Sequence, residues 1–241
     1  MKLGLDLILK SNIPLEYKIV IKSYINEVIK NLKNRVKLIL VIGSSASNEV
    51  ITNWSDIDII LVCDKYDMEY VRIIKNIISK YDIKIGNTIY SQEEFEKKQI
   101  DPKTYYYLLL AQEEKINIQY LNKDLKIPEI GFEECKKQYV TYLMEQLHNY
   151  KRNMLYENID KEGIGKIFKN TYLIMKAILI INNFRPKNYQ EVFSLYSREY
   201  GFEKLNFKKF IQDYQNGRIN NERFMDYSKK FIIDIVNNPK I

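Results

Sequence analysis

The sequence predicts an α+β fold, in which a mixed sheet with flanking helices is followed by an all-α helical bundle. Two apolar runs, Val36–Ile42 and Ile57–Val62, have the length of buried strands and are separated by a turn of small residues. Helical patterns, with apolar residues at spacings of three and four, lie before and after these runs. From Phe132 onward the chain shows helical patterns without a convincing strand, so the second half is expected to be helical.

The change of pattern divides the chain into two predicted domains. We place the boundary in the linker of residues 128–131, because Pro128 and Gly131 interrupt regular structure there. Residues 1–127 then form the mixed domain, and residues 128–241 form the helical domain. A chain of 241 residues has the length for one large domain or two small ones.

The individual elements follow from periodicity and from capping residues. The first helix opens after Pro14 and ends at Asn34, and Ser91 begins a short helix with Glu94 placed as in a capping box. Pro102 starts a further helix over residues 104–113. The other elements predicted for the mixed domain are strand 36–42, helix 46–51, strand 57–62, helix 67–79, strand 83–90 and strand 116–120. The helices predicted for the helical domain are 132–157, 163–182, 189–200, 205–216 and 220–236.

Composition excludes several classes of protein. No segment approaches the roughly 18 consecutive apolar residues of a membrane span, and the N-terminus lacks the core of a signal peptide, so a cytoplasmic protein is expected. Cys63 and Cys135 lie far apart without a CxxC motif and indicate neither a zinc site nor a disulfide framework; Cys63 is expected in the core. The net charge of +7 favours an anionic partner such as a nucleotide or RNA, or reflects Lys-rich solvated helices.

Two acids stand at the start of the second apolar run. Asp56 and Asp58 are separated by one residue, so in a strand both side chains project from the same face, about 6–7 Å apart. Like charges at the edge of an apolar strand are costly unless a cation lies between them. Mg²⁺, or Mn²⁺ in its place, takes carboxylate oxygens together with substrate phosphates. Both aspartates are therefore candidate metal ligands.

A turn of small residues follows the first apolar run. Gly43 and Ser44 lead from that strand toward a predicted helix, where exposed backbone amides can bind phosphate. Ser45 either adds a hydroxyl to that site or caps the helix. A phosphate-binding turn beside a pair of metal-binding carboxylates is the combination that nucleotidyl transfer requires. Gly43, Ser44 and Ser45 are thus the predicted nucleotide-binding residues, together with Asp56 and Asp58.

The segment VIGSS…SDIDIILV resembles the DNA polymerase beta-like nucleotidyltransferase superfamily. The signature of that superfamily is an apolar strand, Gly-Ser, a short loop and Asp-x-Asp within a second apolar strand. The resemblance is closest to the branch of minimal and kanamycin-type nucleotidyltransferases, and it covers residues 20–122. It implies a nucleotidyltransferase-type sheet, an NTP substrate and Mg²⁺ held by Asp56 and Asp58. The later helices are similar to the C-terminal domain of kanamycin-type enzymes and to HEPN-type domains.

The third strand departs from the pattern of the superfamily. The superfamily usually carries a third carboxylate there, which binds metal or takes the proton of the acceptor. Gly86 or Asn87 stands at that place in this chain, and Asp82 lies too early. The resemblance then leaves three alternatives. Another residue supplies the base from the helical domain, the substrate is acidic enough to react without a base, or the protein binds nucleotide without turnover.

The helical half offers one candidate base. Residues 144–152, MEQLHNYKR, are placed like the first helix of the kanamycin-type C-terminal domain, in which a glutamate serves as the base. Asn149 of this chain aligns with that catalytic glutamate. The resemblance therefore makes Glu145, one turn before Asn149, the candidate catalytic residue. The alternative for Glu145 is a surface position on an amphipathic helix. No arginine precedes His148 at the spacing of HEPN ribonucleases, so that activity is not expected.

The function predicted from the resemblance is transfer of a nucleoside monophosphate from an NTP to a hydroxyl acceptor. The acceptor is either a small molecule, such as an aminoglycoside-like antibiotic, or a protein side chain, and it is expected in the cleft between the domains. The alternative function is that of a regulatory or antitoxin-like protein with weak or no catalysis. A homodimer and a toxin-like protein partner both remain open. The sequence lacks the basic and aromatic track of a nucleic-acid-binding protein.

Overall fold

The computed structural model describes residues 12–47, 49–52, 55–114, 118–121, 124–156, 160–201, 207–218 and 221–237. The chain divides into two compact units, with the division between Cys135 and Lys136. The first unit contains a mixed four-stranded sheet with helices, and the described part of the second unit contains helices. The predicted fold class is therefore confirmed.

The sheet of the first unit has the strand order β3-β2-β1-β4. β1 pairs antiparallel with both β2 and β4, whereas β2 and β3 run parallel. β1 and β2 are almost fully buried, which explains why their sequences are continuous apolar runs rather than alternating ones. The strands are β1 (Val36–Ile42), β2 (Ile57–Cys63), β3 (Ile85–Ser91) and β4 (Ile118–Leu121).

The first helix, α1 (Leu15–Leu32), shares a core with one face of the sheet. The strand residues in this core alternate along β2, and Cys63 is among them, as predicted. Because side chains alternate between the two faces of a strand, Asp58 lies on the face opposite this core. The helix contributes Tyr17, Ile21, Tyr24, Ile25, Val28 and Leu32, and the central strands contribute Ile39, Val41, Ile57, Ile59 and Leu61.

Side-chain caps fix where two of the other helices in the first unit begin. Asp67 accepts a hydrogen bond from the amide of Glu69 at 2.9 Å at the start of one helix. Ser91 and Glu94 form the predicted capping box, in which Ser91 Oγ accepts from the Glu94 amide at 3.1 Å. The chain therefore passes directly from β3 into a helix. The helices are α2 (Met68–Ile78), α3 (Gln92–Glu96) and α4 (Pro102–Glu114).

Aromatic side chains form the core of the second unit. Phe168 stacks on Phe210 with their ring centroids 4.0 Å apart and also contacts Phe193 and Phe224. These four rings come from four different helices, so one aromatic cluster holds those helices together. The helices are α5 (Phe132–Tyr156), α6 (Lys161–Ile181), α7 (Tyr189–Tyr200), α8 (Phe207–Gln215) and α9 (Asn221–Asn237).

One local prediction is wrong, and several boundaries move by one or two residues. The helix predicted over residues 46–51 is absent, because Gly43–Ser45 form a 3-10 turn and residues 49–51 are irregular. Serine and asparagine side chains compete with the helical backbone for hydrogen bonds, which disfavours a helix in this segment. β3 begins at Ile85 rather than at residue 83, where the chain bends.

Parts of five predicted elements lie outside the described residues. They are residue 48 of the helix predicted over 46–51, residues 116–117 of the strand over 116–120, residue 157 of the helix over 132–157, residues 205–206 of the helix over 205–216 and residue 220 of the helix over 220–236. Among the helices that are described, none combines the length and the apolar character needed to cross a membrane.

Replacing Phe168 with alanine is expected to lower the free energy of unfolding by about 3–5 kcal/mol, because a fully buried ring is removed and a cavity remains. Phe168 is 1% exposed, whereas Met144 on α5 is 65% exposed. The control variant Met144→Ala is therefore expected to change stability by less than about 0.5 kcal/mol. Urea unfolding followed by circular dichroism measures both variants. Equal effects of the two substitutions would contradict this packing.

Candidate active site

Asp58, the second residue of β2, lies between two glycines. Its partners across the sheet are Ile42, the last residue of β1, and Gly86 in β3. The chain leaves β1 through Gly43, which has a φ of +70°. A β-carbon on Gly43 would lie 2.6 Å from Asp58 Oδ2, and one on Gly86 would lie 3.1 Å from Oδ1. The carboxylate therefore has room on both sides only because both neighbours lack a side chain.

The turn after β1 is formed by Gly43–Ser45. The amides of Ala46 and Ser47 each donate to the carbonyl of Gly43 at 3.1 Å, which closes the turn. Ser44 is half-buried, whereas Ser45 is 4% exposed and its Oγ has no hydrogen-bond partner within the described structure. Ser45 therefore does not act as a cap for this turn.

Asp56 follows a loop that side chains hold in place. Ser55 braces this loop, because its Oγ accepts from the amide of Ile51 at 2.9 Å. The hydroxyl of Tyr17 donates to the carbonyl of Ser55 at 2.8 Å. Burial, and then the negative charges of Glu16 and Asp56, raise the pKa of the Tyr17 phenol, so Tyr17 remains a donor. The backbone just before Asp56 is thus tied to the core helix α1.

The pairing of β3 shows which residue stands where the superfamily carries its third acid. Gly86 pairs with Asp58 and shares its face of the sheet, whereas Asn87 pairs with Ile59 and points to the other face. The hydroxyl of Tyr24 donates to Asn87 Oδ1 at 2.6 Å, which places Asn87 on the side of α1. Among the described residues, no group of three or more Asp, Glu, His or Cys side chains is placed to hold a metal ion.

A lysine that the sequence reasoning missed lies beside Asp58. Lys103, in the first turn of α4, places Nζ 3.0 Å from Asp58 Oδ1. This turn is tied to β3, because Asp101 accepts both from the amide of Thr104 at 3.0 Å and from the hydroxyl of Tyr90. Burial raises the pKa of the Tyr90 phenol. The Asp-Pro-Lys-Thr pattern signals a helix start, but only the fold brings that start to Asp58.

The residues predicted from the helical half lie in the second unit. Glu145 and His148 are both exposed on α5. The role of Glu145 as a base therefore stays a prediction, whereas Gly43 and Asp58 come together in the first unit.

Comparison with known proteins identifies the family. A family model described as a nucleotidyltransferase domain matches residues 21–151, more than half of the chain. A protein of Methanocaldococcus jannaschii, named as a candidate protein adenylyltransferase, is 35% identical over 79 residues, which are 32% of this chain and 77% of that protein. These matches confirm the resemblance to nucleotidyltransferases that the sequence motif indicated.

A solved structure shares the fold. The crystal structure of spectinomycin adenyltransferase from Enterococcus faecialis with ATP and spectinomycin aligns with a TM-score of 0.50 and 16% identity, covering 88% of this chain and 98% of that one. The family match includes the Gly43 turn, both aspartates and Lys103. The chain therefore belongs to the nucleotidyltransferase domain family and is a transferase enzyme.

Proposed function

We propose that this enzyme transfers the adenylyl group of ATP to a hydroxyl group of an acceptor. The observation that carries the proposal is the position of Asp58 between the Gly43–Ser45 turn and Gly86, on the sheet face opposite the core. Asp56, two residues earlier, supplies a second carboxylate. Both relatives are named as adenylyltransferases, which favours ATP over other nucleoside triphosphates.

The acceptor belongs to one of two chemical classes. One relative is named as acting on protein, and the other is named for spectinomycin, a small antibiotic. The acceptor proposed here is accordingly a hydroxyl of a protein side chain or of an aminoglycoside-like small molecule. The relative named for protein shares sequence over 79 residues of this chain, whereas the antibiotic enzyme shares the fold.

The donor set of the site fits Mg²⁺, or Mn²⁺ in its place. Asp56 and Asp58 offer hard carboxylate oxygens, and the glycines beside Asp58 place no side chain against it. Two carboxylates together with phosphate oxygens suit one ion, and the described residues add no third acid to this pair. When bound, such an ion would offset the negative charge that develops on the phosphate oxygens.

The residues of the turn would bind the phosphates of ATP. Gly43 has no side chain to block their approach, the hydroxyl of Ser44 can donate to a phosphate oxygen, and the hydroxyl of Ser45 has no hydrogen-bond partner among the described residues. A bond forms between the acceptor oxygen and the α-phosphorus, and the bond from that phosphorus to the bridging oxygen breaks, so pyrophosphate leaves. The acceptor proton passes to a base, for which Glu145 is the candidate.

Regulation through bound nucleotide, with weak or no turnover, is the second candidate function. Gly86 favours it, because the residue beside Asp58 on β3 can neither bind metal nor accept a proton. The two candidates share nucleotide binding and differ in turnover.

Asp58→Asn is expected to lower pyrophosphate release from ATP by about 100-fold or more, because it removes a carboxylate charge that would hold the divalent ion beside the phosphates. The assay combines purified protein, labelled ATP and Mg²⁺ with spectinomycin, aminoglycosides or a mixture of proteins as acceptors. Asp82→Asn serves as the control, since Asp82 is exposed and precedes β3. Wild-type protein that binds ATP without turnover on any acceptor would favour the regulatory candidate.

Gly43→Ala is expected to weaken ATP binding by about tenfold, because its β-carbon would displace the carboxylate of Asp58. Gly201→Ala is a matched control: Gly201 has a φ of +69°, close to the +70° of Gly43, but no atom of the described residues lies within 4 Å of its β-carbon position. Both variants are expected to lose about 1 kcal/mol of stability from backbone strain. Isothermal titration calorimetry measures ATP affinity, and an equal loss in both variants would show that strain alone is responsible.

Glu145→Gln is expected to lower the turnover number by about 10²–10⁴-fold and to leave ATP affinity unchanged, because a base acts on the acceptor and not on the nucleotide. Glu133→Gln, an exposed glutamate earlier on α5, is the control. Steady-state kinetics with a working acceptor and calorimetry with ATP separate the two effects. Unchanged turnover in Glu145→Gln would rule out this residue as the base.

A further inference from the structure

We propose that Lys103 makes metal binding at Asp58 depend on the nucleotide. Its ammonium pairs with Asp58 while no nucleotide is bound, and it moves to the phosphates when ATP and a divalent ion bind. The inference rests on the proposed function and deepens it, because it assigns a phosphate-binding residue outside the Gly-Ser turn and the Asp-x-Asp pair.

The two oxygens of Asp58 have different surroundings. Oδ2 faces Gly43, whose β-carbon would lie 2.6 Å away, whereas Oδ1 faces Gly86 and accepts from Lys103 Nζ at 3.0 Å. A cation of the chain itself thus neutralises the oxygen on the β3 side and leaves Oδ2 facing the phosphate-binding turn. A divalent ion that uses both oxygens of Asp58 must displace the ammonium.

Helix stability does not explain a lysine at this position. The N-terminal end of a helix carries partial positive charge, so a lysine in the first turn is unfavourable unless a negative group offsets it. Asp58 is that group in the structure, and a triphosphate would be a more highly charged one. The turn itself is held to β3 through Asp101, Tyr90 and Thr104, so the backbone of Lys103 keeps its place while the side chain moves.

Gly86 is the second part of this arrangement. A β-carbon at position 86 would lie 3.1 Å from the same carboxylate oxygen that Lys103 contacts, so a larger side chain would crowd the approach of the ammonium. An acid at this position would also compete with Asp58 for the lysine. The absence of an acid at position 86 on β3 therefore allows Lys103 of α4 to pair with Asp58 Oδ1.

The chemistry of lysine suits an exchange between two anionic partners. Its ammonium is a compact charge with three donors on a flexible chain, and in this site the side chain is 38% exposed. In the resting state the ammonium opposes a metal ion at Asp58, and in the bound state it contacts a phosphate oxygen. Since coupling between two ligands is reciprocal, metal and ATP each raise the affinity of the other.

The test measures two affinities in the full-length protein. Binding of Mn²⁺ alone is followed by electron paramagnetic resonance, and binding of a non-hydrolysable ATP analogue with Mn²⁺ is followed by calorimetry. Lys103→Met is expected to bind Mn²⁺ alone about threefold to fivefold more tightly, the scale of one partly exposed ion pair. The same variant is expected to bind the analogue about tenfold more weakly, since a charge-assisted contact to phosphate is lost. Lys103→Arg is expected to keep both affinities near those of the wild type.

Lys98→Met is the matched control. Lys98 pairs with Glu134 at 2.8 Å, with the two side chains 32% and 37% exposed, against 38% and 22% for Lys103 and Asp58. The Lys98→Met control is expected to change neither affinity. If Lys103→Met aggregates, Lys103→Gln is used to repeat the test. Any result in which the two affinities of Lys103→Met, or of Lys103→Gln in its place, fail to move in opposite directions overturns the proposal. If the wild-type protein binds neither Mn²⁺ nor the ATP analogue, the proposed function is overturned as well.

Discussion

The register of β2 is the constraint on which the candidate site depends. Alternate residues of this strand, among them Ile57 and Ile59, pack into the core with α1, and this fixes Asp58 on the other face. A shift of one residue would turn Asp58 toward the apolar core shared with α1, at a large cost in free energy. The same register brings the carboxylate between Gly43 and Gly86. The apolar pattern of the strand thus determines where the charge of the site lies.

Two tyrosines of α1 connect that core to the site. Tyr17 and Tyr24 are seven residues apart and therefore lie on the same face of the helix. One donates to the carbonyl of Ser55, just before Asp56, and the other donates to Asn87, next to Gly86. Burial raises the pKa of both phenols, so both hydroxyls remain donors at neutral pH. A helix on one face of the sheet thereby forms hydrogen bonds to the segments on both sides of Asp58.

Sequence reasoning succeeded where one segment contains the whole signal. β1 begins and ends as predicted, and the capping box of Ser91 and Glu94 is formed, because periodicity and capping act over a few residues. The choice between Gly86 and Asn87, and the meeting of Lys103 with Asp58, depend on how distant segments pair. A local pattern contains no information about that register.

The number of charges around Asp58 connects the missing acid to the chemistry of the site. Asp56 and Asp58 carry two negative charges, which a single divalent ion balances; a third carboxylate would suit a second ion. In this structure Lys103 already offsets part of that negative charge. A metal ion that binds without nucleotide would therefore gain less electrostatic free energy. A nucleoside triphosphate brings its own negative charge and gives the ammonium another partner. Under the proposed function, the combination of Gly86 and Lys103 therefore favours a site that one metal ion and one nucleotide would fill together.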